Sequence, residues 1–207
     1  QLTKTRDLPN PNEYVLALLG EYSPWAFDEE RAPQLKGQWR EEFKVSEDHP
    51  VDLEIGTGNG FHFGHLALST PKRCLVGIEL KYKPLIQSIR RVVRERGTNA
   101  RICRYNARMV KDLFAPEELN DVYIHFPDPW EKESRKKHRL IQAEFLDELF
   151  ELQKLGSKIY FKTDSRDYFD WALEVFVSSK YKMLGHSFDL HNSEWAEANF
   201  ITHFERL

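Results

Sequence analysis

The chain has 207 residues, of which 41% are hydrophobic and 30% charged, and its formal net charge is −3. This length and apolar content predict one domain with one substantial core. The small negative charge argues against a protein that binds nucleic acid over its whole surface, because such proteins carry a clear basic excess. No apolar run approaches the length that crosses a bilayer and no signal pattern is present, so we expect a cytoplasmic protein with no membrane partner.

Residues 1–45 are rich in prolines and aromatic side chains and show no regular hydrophobic period. We expect them to form an extension that packs its aromatic rings on the core, and we expect residues 46–207 to form the main domain. The only two cysteines, Cys74 and Cys103, fall inside apolar runs. We interpret them as buried packing residues and not as a disulfide or a metal pair.

From residue 51 onward, short β-rich runs alternate with longer amphipathic stretches, which predicts a mostly parallel sheet with helices on both faces. The last two β-rich runs have no helical stretch between them and predict an antiparallel pair at one edge of a seven-stranded α/β sheet. The predicted strands are 51–55, 74–79, 100–105, 121–126, 158–163, 181–190 and 199–206. The predicted helices are 61–69, 84–96, 140–152 and 166–178.

Three glycines, Gly56, Gly58 and Gly60, lie between the first predicted strand and the first predicted helix, and Glu54 stands two residues before them. Glycines there let the backbone turn tightly and approach a ligand at the carboxyl end of a strand. We infer a nucleotide-containing cofactor. The spacing differs from the Gly-x-Gly-x-x-Gly of dinucleotide folds and resembles the first motif of Rossmann-like methyltransferases, which bind S-adenosylmethionine. An NAD site and a plain glycine turn with solvated acids are the alternatives.

The next two predicted strands also end in polar side chains. Glu79 ends the second strand, where an acid can accept hydrogen bonds from both ribose hydroxyls of a nucleotide. Asn106 follows the third strand, where methyltransferases commonly place an acid or an amide beside the adenine, and its amide both donates and accepts. We therefore assign both residues to the predicted cofactor site.

The fourth predicted strand leads into Phe126-Pro127-Asp128-Pro129-Trp130. The two prolines bias Phe126 and Asp128 toward extended conformations, so we expect Asp128 to be held rigidly at the mouth of the sheet. Together with Lys132 and a basic run that ends at Arg139, this string resembles the signature of the tRNA (guanine-N7)-methyltransferases. Two later segments match the same family in order, namely Phe161-Lys162-Thr163-Asp164 and Thr202-His203-Phe204-Glu205.

The resemblance implies a Rossmann-like class I methyltransferase that transfers a methyl group from S-adenosylmethionine to N7 of a guanosine in tRNA, conventionally position 46 in the variable loop. It implies that Asp128 is the catalytic residue and also lies against the cofactor. Asn106 departs from the family, which usually has Asp at that position. The implied cofactor residues are Glu54, Gly56, Gly58, Gly60, Glu79, Asn106 and Asp128, and the implied substrate residues are Lys132, Asp164, Thr202 and Glu205.

The basic run after the proline-rich string contains Arg135, Lys136, Lys137 and Arg139. A charge run is usually a solvated face, but its place directly after Asp128 favours contact with RNA phosphates. The arginines of the predicted helix 84–96 are weaker evidence, since an amphipathic helix needs a charged outer face anyway. We expect no metal site, and a monomer or a homodimer.

Two alternatives to a tRNA methyltransferase remain. A methyltransferase of a small molecule or a protein would keep the glycine motif but would have no reason for the basic run. A non-catalytic RNA-binding protein would bind RNA without binding S-adenosylmethionine, and the intact residues from Glu54 to Gly60 argue against it.

Overall fold

The computed structural model describes residues 4–200 and contains a six-stranded sheet in which all neighbouring strands are parallel. The strand order is β1-β4-β3-β2-β5-β6, so β3 and β4 lie on one side of β2 and β5 and β6 on the other. Five of the strands match predicted strands to within two residues at either end. The strands are β1 (Ala26–Phe27), β2 (Val51–Ile55), β3 (Cys74–Ile78), β4 (Ala100–Cys103), β5 (Val122–His125) and β6 (Ile159–Lys162).

Helices cover both faces of this sheet, which confirms the predicted architecture of the parallel part. The α-helices are α1 (Glu13–Leu19), α2 (Trp39–Phe43), α3 (Phe61–Ser69), α4 (Tyr82–Arg94), α5 (Ala143–Leu152) and α6 (Arg166–Val177). Short 3₁₀ helices lie at Thr5–Asp7, Ala32–Leu35, Ala107–Asp112, Glu133–His138 and Leu190–Asn192.

Each face of the sheet has its own hydrophobic core, because successive side chains of a strand point to opposite faces. Leu53 of β2 and Val76 of β3 belong to the core that includes α5 and α6. Leu75 of β3 belongs to the core formed with α1, α3 and α4. On this second face β2 presents the buried acids Asp52 and Glu54 in place of apolar residues.

The N-terminal residues are integrated into both cores. Trp39 is fully buried, stacks on Phe114 with ring centroids 5.5 Å apart, and donates its indole N–H to the carbonyl of Leu113 at 2.8 Å. Leu18 of α1 lies in the other core. The sequence does not predict β1, because two residues are too few to show a period, yet β1 adds a parallel edge to β4. The domain boundary near residue 45 stays a prediction.

The predicted strand 181–190 is wrong, because these residues follow an irregular path. Their polar groups bond with side chains and turns in place of strand pairing: Tyr181 donates its hydroxyl to Gln153 after α5, and Ser187 bonds with Asp189 in a tight turn. Most of the predicted strand 199–206 lies outside the described residues. Within residues 4–200 the sheet therefore has six strands, and no antiparallel pair is present.

Two simpler predictions concern membranes and cysteines. Among the described helices none combines the length and the apolar character that a membrane crossing requires. Cys74 and Cys103 are free and buried, as predicted. Burial raises the pKa of Cys74 to about 11 and raises the pKa of Cys103 further still.

Candidate active site

The carboxyl ends of all parallel strands meet at one edge of the sheet, and the loops that follow β2 to β6 carry the predicted site residues there. The strand order reverses beside β2, between β2 and β5. A reversal of this kind opens a crevice outside the strand ends, and ligands of open α/β sheets bind in it. The loop after β2 and the loop after β5 form the two walls of this crevice.

The glycine loop, residues 56–60, has a backbone that requires glycine. Gly56, Gly58 and Gly60 have φ values of +73°, +54° and +77°. A Cβ atom on Gly56 or Gly58 would meet no atom within 4 Å, whereas a Cβ on Gly60 would overlap the backbone of Ser88 in α4. Gly60 therefore serves close packing inside the protein, and the other two glycines border open space where a ligand can approach the backbone.

Two side chains on neighbouring elements hold this loop. Glu79 accepts the N–H of Gly58 on Oε2 at 3.0 Å, and its Oε1 accepts the N–H groups of Leu80 and Lys81 at 2.8 and 2.9 Å. The fully buried Ser88 donates its hydroxyl to the carbonyl of Gly58 at 2.9 Å. The structure thus brings Glu79 and the glycine loop together at the crevice, as the sequence predicts.

Glu54, which the resemblance assigns to the cofactor site, has a buried side chain. Its side chain points to the face of the sheet beneath α3, is only 2% exposed, and accepts a hydrogen bond from His62 Nδ1 at 2.8 Å. Burial raises the pKa of Glu54, and the hydrogen bond from His62 opposes that shift. Glu54 thus ties β2 to α3 immediately below the glycine loop, and it is not the solvated acid of the alternative reading.

Asn106 begins the 3₁₀ helix Ala107–Asp112 after β4. Its side-chain oxygen accepts the N–H of Arg108 at 3.0 Å, which caps that helix. In the described part of the chain the side-chain NH₂ group of Asn106 has no hydrogen-bond acceptor and is half-buried at the carboxyl edge. Asn106 therefore offers a donor at this edge, and its acceptor is already used.

The proline segment, residues 126–130, bends sharply and does not stay extended as the sequence predicts. Phe126 and Trp130 have φ values of +50° and +46°. Positive φ is rare for bulky residues and costs roughly 1–3 kcal/mol each. Phe126 still donates its N–H to the Lys162 carbonyl at 2.8 Å, as a strand residue would. The chain leaves the sheet at the next residue, so the change of direction falls on Phe126 itself.

The bend leaves Asp128 exposed at the crevice. Its carboxylate makes no hydrogen bond or ion pair within residues 4–200. Strained backbone is found preferentially at ligand and active sites, where surrounding structure holds it in place. The segment therefore presents the unpaired carboxylate of Asp128 between two residues with strained, positive-φ backbone.

Arg139 is not available for RNA contact, which corrects one predicted site residue. Its side chain is fully buried and donates from Nε to the carbonyl of Pro129 at 2.7 Å. Its terminal nitrogen pairs with Asp167 of α6, and its guanidinium lies over the rings of Tyr168 and Trp171, 4.9 and 5.3 Å from their centroids. Arg139 thus fastens the end of the proline segment to the start of α6.

The other basic residues of the run lie on the surface. Lys132, Arg135 and Lys137 are exposed, and Arg135 lies 6.0 Å from the centroid of the Trp130 ring. Lys136 differs, because it pairs with both Glu133 and Asp167. Three of the five basic side chains that the sequence singles out here are thus free to meet an external anion.

The remaining predicted substrate residues follow β6 and the chain end. Asp164 lies directly after β6, is exposed, and has no hydrogen-bond or ion-pair partner in the described residues. Thr202 and Glu205 lie outside the described residues. Just before them, Asn199 and the carbonyl of Phe200 accept hydrogen bonds from Lys162 at the end of β6.

A histidine pair lies between the two walls of the crevice. His125 ends β5, and its ring lies edge-on to His62 with the centroids 4.3 Å apart. Both ring nitrogens of His125 are buried without a hydrogen-bond partner in the described structure. Burial lowers the pKa of His125 well below its usual range, and His62 and Lys162 lower it further, so the ring is neutral at pH 7.

Sequence reasoning misses three residues that shape the site: His62, Ser88 and His125. Ser88 carries a detectable signal, because it is the one small polar residue on the buried face of α4. His62 and His125 carry none, since their contacts depend on side-chain direction across two strands and a helix. No three His, Cys, Asp or Glu side chains among the described residues come together in a way that could hold a metal ion.

Comparison with known proteins gives close relatives. A family model described as "Putative methyltransferase" matches residues 48–207. The tRNA (guanine-N(7)-)-methyltransferase of Bdellovibrio bacteriovorus is 51% identical over 193 residues, which cover 93% of this chain and 92% of the relative. The protein of the same name from Lachnoclostridium phytofermentans is 34% identical over 202 residues, which cover 98% of this chain and 90% of the relative.

Among solved structures, that of an antibiotic-related methyltransferase superposes with a TM-score of 0.50. It is 20% identical, and the match covers 72% of this chain and 79% of that one. At this identity the likeness supports the fold alone, and the fold is the Rossmann-like α/β fold of class I methyltransferases.

Proposed function

The chain belongs to the family of tRNA (guanine-N(7)-)-methyltransferases, and from that membership we propose that it transfers a methyl group from S-adenosylmethionine to N7 of a guanosine in tRNA. One observation carries the proposal: the glycine loop and the free carboxylate of Asp128 face one crevice in a chain 51% identical to such an enzyme. The family signature extends the proposal to position 46 of the variable loop, and a tRNA substrate implies a cytoplasmic protein.

The residues at the crevice fit S-adenosylmethionine. The open space beside Gly56 and Gly58 admits the methionine part of the cofactor against the loop backbone. We assign the ribose hydroxyls to Glu79 and the adenine edge to the free NH₂ group of Asn106. Glu54 stays assigned to the cofactor site, and its hydrogen bond with His62 supports the start of α3 beneath the loop. S-adenosylmethionine, when bound, supplies a methyl group on a positively charged sulfur.

The chemistry needs placement more than proton transfer. Guanine N7 carries a free lone pair at neutral pH, so attack on the methyl carbon requires no general base. The protein must hold N7 in line with that carbon and stabilise the positive charge that develops on the purine as the bond forms. Asp128 suits this task, because its carboxylate is held between two prolines and has no internal partner in residues 4–200.

Selection of guanine falls to the carboxylates beyond β6. We assign Asp164 and Glu205 to the N1–H and amino group of guanine, which donate to a carboxylate, whereas adenine presents an acceptor at N1. Lys132 and Thr202 complete the proposed substrate site. The target base must leave its stack or tertiary contact to reach this site, at a cost of a few kcal/mol.

The exposed basic residues beside Asp128 provide the contact with the tRNA backbone. We assign phosphates to Arg135 and Lys137, which are exposed and carry no ion pair in the described residues, and to Lys136 in exchange for its internal partners. Such contacts make binding depend strongly on salt, because each phosphate contact releases counterions. Arg139 takes no part, since it is buried.

The test is transfer of labelled methyl from S-adenosylmethionine to an unmodified tRNA transcript, followed by nucleoside analysis. We expect the label in 7-methylguanosine, and we expect Asp128→Asn to lower kcat by about 100- to 1,000-fold, the range for loss of one electrostatic group at a reacting centre. Glu131→Gln is the matched control, because it removes an exposed carboxylate three residues away and should leave kcat within about twofold.

Two outcomes would sink the proposal. If the protein binds S-adenosylmethionine but labels no tRNA, its substrate is a small molecule or a protein. If it binds tRNA and no S-adenosylmethionine, it is a non-catalytic RNA-binding protein.

A further inference from the structure

A groove of about 500 Å³ runs between α3 and α4, away from the crevice floor. Phe61 and His65 of α3 line one wall, and Arg90, Arg91 and Arg94 of α4 line the other. Glu95 is the one acidic residue of the lining. Burial lowers the pKa of His65, so the groove carries three positive charges against one negative charge at pH 7.

The three arginines have no acidic partner within residues 4–200, unlike several other arginines of the sheet and its helices. Arg73, Arg101 and Arg104 pair with Asp52, Glu42 and Glu29 respectively. Arg90, Arg91 and Arg94 form no ion pair with any described carboxylate. Arg90 and Arg94 are also four residues apart on one helix face, where like charges repel. The chain has more acidic than basic residues, with a net charge of −3, yet none of the described acids pairs with these three arginines. The cluster is therefore suited to bind an external anion.

Two of the arginines are held in place while their terminal amino groups stay free. Arg91 donates from Nε to the Asn59 carbonyl of the glycine loop at 2.8 Å, and its guanidinium lies 3.7 Å from the centroid of the Phe61 ring. Gly64 makes this possible, since a Cβ there would approach the Arg91 stem at 3.1 Å. Arg90 donates from Nε to the Tyr22 hydroxyl at 3.2 Å.

This arrangement suits phosphate. A guanidinium whose Nε is already bonded can present its two terminal nitrogens to the oxygens of one phosphate, and prior ordering lowers the entropy lost on binding. Phe61 lines the groove and directly follows the glycine loop, and Arg91 bonds to Asn59 within that loop. One end of the groove therefore lies at the rim of the crevice. A strand of RNA whose base enters the crevice would continue along it.

We propose that the α3–α4 groove binds backbone phosphates of the tRNA, on the opposite flank of the crevice from Arg135 and Lys137. This inference rests on the proposed function, since it takes tRNA as the substrate. The tRNA is then held from both sides, and the groove extends the interface well beyond the target nucleotide. A backbone contact of this kind sets affinity and orientation and reads no sequence.

The test compares Arg90→Gln/Arg94→Gln with the wild type by tRNA binding over a series of salt concentrations. Each lost phosphate contact lowers the slope of log K against log salt by about 0.7–0.9, which at 0.1 M salt raises Kd by about five- to eightfold, so we expect about 25- to 60-fold for the pair. The Kd for S-adenosylmethionine should stay unchanged. Arg90→Lys/Arg94→Lys should recover most of the salt slope.

Lys72→Gln/Lys158→Gln is the matched control, because it also removes two exposed positive charges, at the amino ends of β3 and β6. Arg94→Gln alone is the variant that should fold normally, since Arg94 is exposed and has no hydrogen bond or ion pair to lose in the described structure. The groove proposal is overturned if the arginine variants bind and methylate tRNA as the lysine control does. In that result the proposed function stands, whereas a wild type that neither binds nor methylates tRNA overturns both.

Discussion

The two walls of the crevice are built in different ways. The wall after β2 is complete within the protein: Glu79 and Ser88 hold the glycine loop by hydrogen bonds of 3.0 and 2.9 Å, and Gly60 packs directly on α4. The wall after β5 is incomplete, because the backbone is strained on both sides of Asp128 and the carboxylate of Asp128 has no partner in the described residues. Asp164, after the neighbouring β6, also has no partner in residues 4–200. The first wall is already held in place by internal hydrogen bonds, whereas the second has polar side chains that are available to bind a ligand.

Two glycine substitutions would sharpen the account of the first wall and give the largest expected effect. Gly60→Ala forces a Cβ against Ser88 at a φ of +77°, so overpacking and backbone strain together should cost about 3 kcal/mol of unfolding free energy. Gly58→Ala has open space and should cost only about 1 kcal/mol, from its φ of +54°. Urea unfolding measures both.

The affinity for S-adenosylmethionine should be lowered more by Gly58→Ala than by Gly60→Ala, the reverse of the order for stability. The Cβ of Gly58→Ala projects into the space assigned to S-adenosylmethionine, so its Kd should rise although the fold is kept. Equal losses of stability in the two variants would contradict the view that Gly60 serves packing and Gly58 serves the ligand.

The second wall depends on Arg139, and removing it should have the next largest effect. Arg139→Met keeps an apolar stem but leaves the Pro129 carbonyl without its donor and Asp167 with Lys136 as its one remaining partner in the described residues, which should cost about 2–3 kcal/mol of unfolding free energy. Because Pro129 follows Asp128, kcat on tRNA should fall more than the affinity for S-adenosylmethionine.

Lys136→Met is the control for that change, with kcat measured at saturating tRNA because Lys136 also belongs to the proposed tRNA contact. Lys136 pairs with the same Asp167 from the solvent side, where an ion pair contributes only about 0–1 kcal/mol. If both variants lose the same stability and the same kcat, Arg139 acts only as a surface charge and the proposed support of the proline segment fails.

The smallest expected effect concerns His125, which lies between the two walls. Its folded pKa is depressed, so its contribution to stability is present above the unfolded pKa of about 6.5 and is lost as the pH falls toward the folded pKa. Between pH 7.5 and pH 5.5 the wild type should lose about 1 kcal/mol more than His125→Phe. Chemical denaturation at both pH values gives the difference.

The comparison at pH 7.5 serves as the reference, because the ring is neutral there in both states. His65, whose pKa is also lowered by burial, contributes the same trend to both proteins and cancels. A wild type and a variant with parallel pH profiles would mean that water or another group reaches the His125 ring.

The sequence predicts the first wall better than the second, because the conformation of the first wall depends on residues that are close together in the chain. Gly56, Gly58, Gly60 and Glu79 follow directly from strand ends and from the positive-φ backbone that glycine adopts more readily than any other residue. The sequence does not predict that Glu54 is buried against His62, because side chains alternate along β2 and the direction of Glu54 depends on which face α3 covers. Spacing within the motif carries no information about that face.

The second wall depends on contacts between distant residues. Arg139 is part of a basic run in sequence, but its partners Pro129 and Asp167 lie 10 and 28 residues away and bury it. Phe126 precedes a proline, which favours an extended backbone, and its bonding to β6 overrides that preference. The burial of Arg139 and the backbone conformation of Phe126 are decided by tertiary contacts, which produce no recognisable pattern in the sequence.

The two buried cysteines have a practical consequence for spectroscopy. Only a thiolate reacts with maleimides or iodoacetamides, and burial raises the pKa of Cys74 to about 11 and that of Cys103 further. The folded protein therefore behaves toward such reagents as if it had no cysteine. A single cysteine introduced at exposed Glu131, which lies outside the proposed substrate residues, can accept a fluorophore without first removing the native thiols, and its emission would report tRNA arriving beside Asp128.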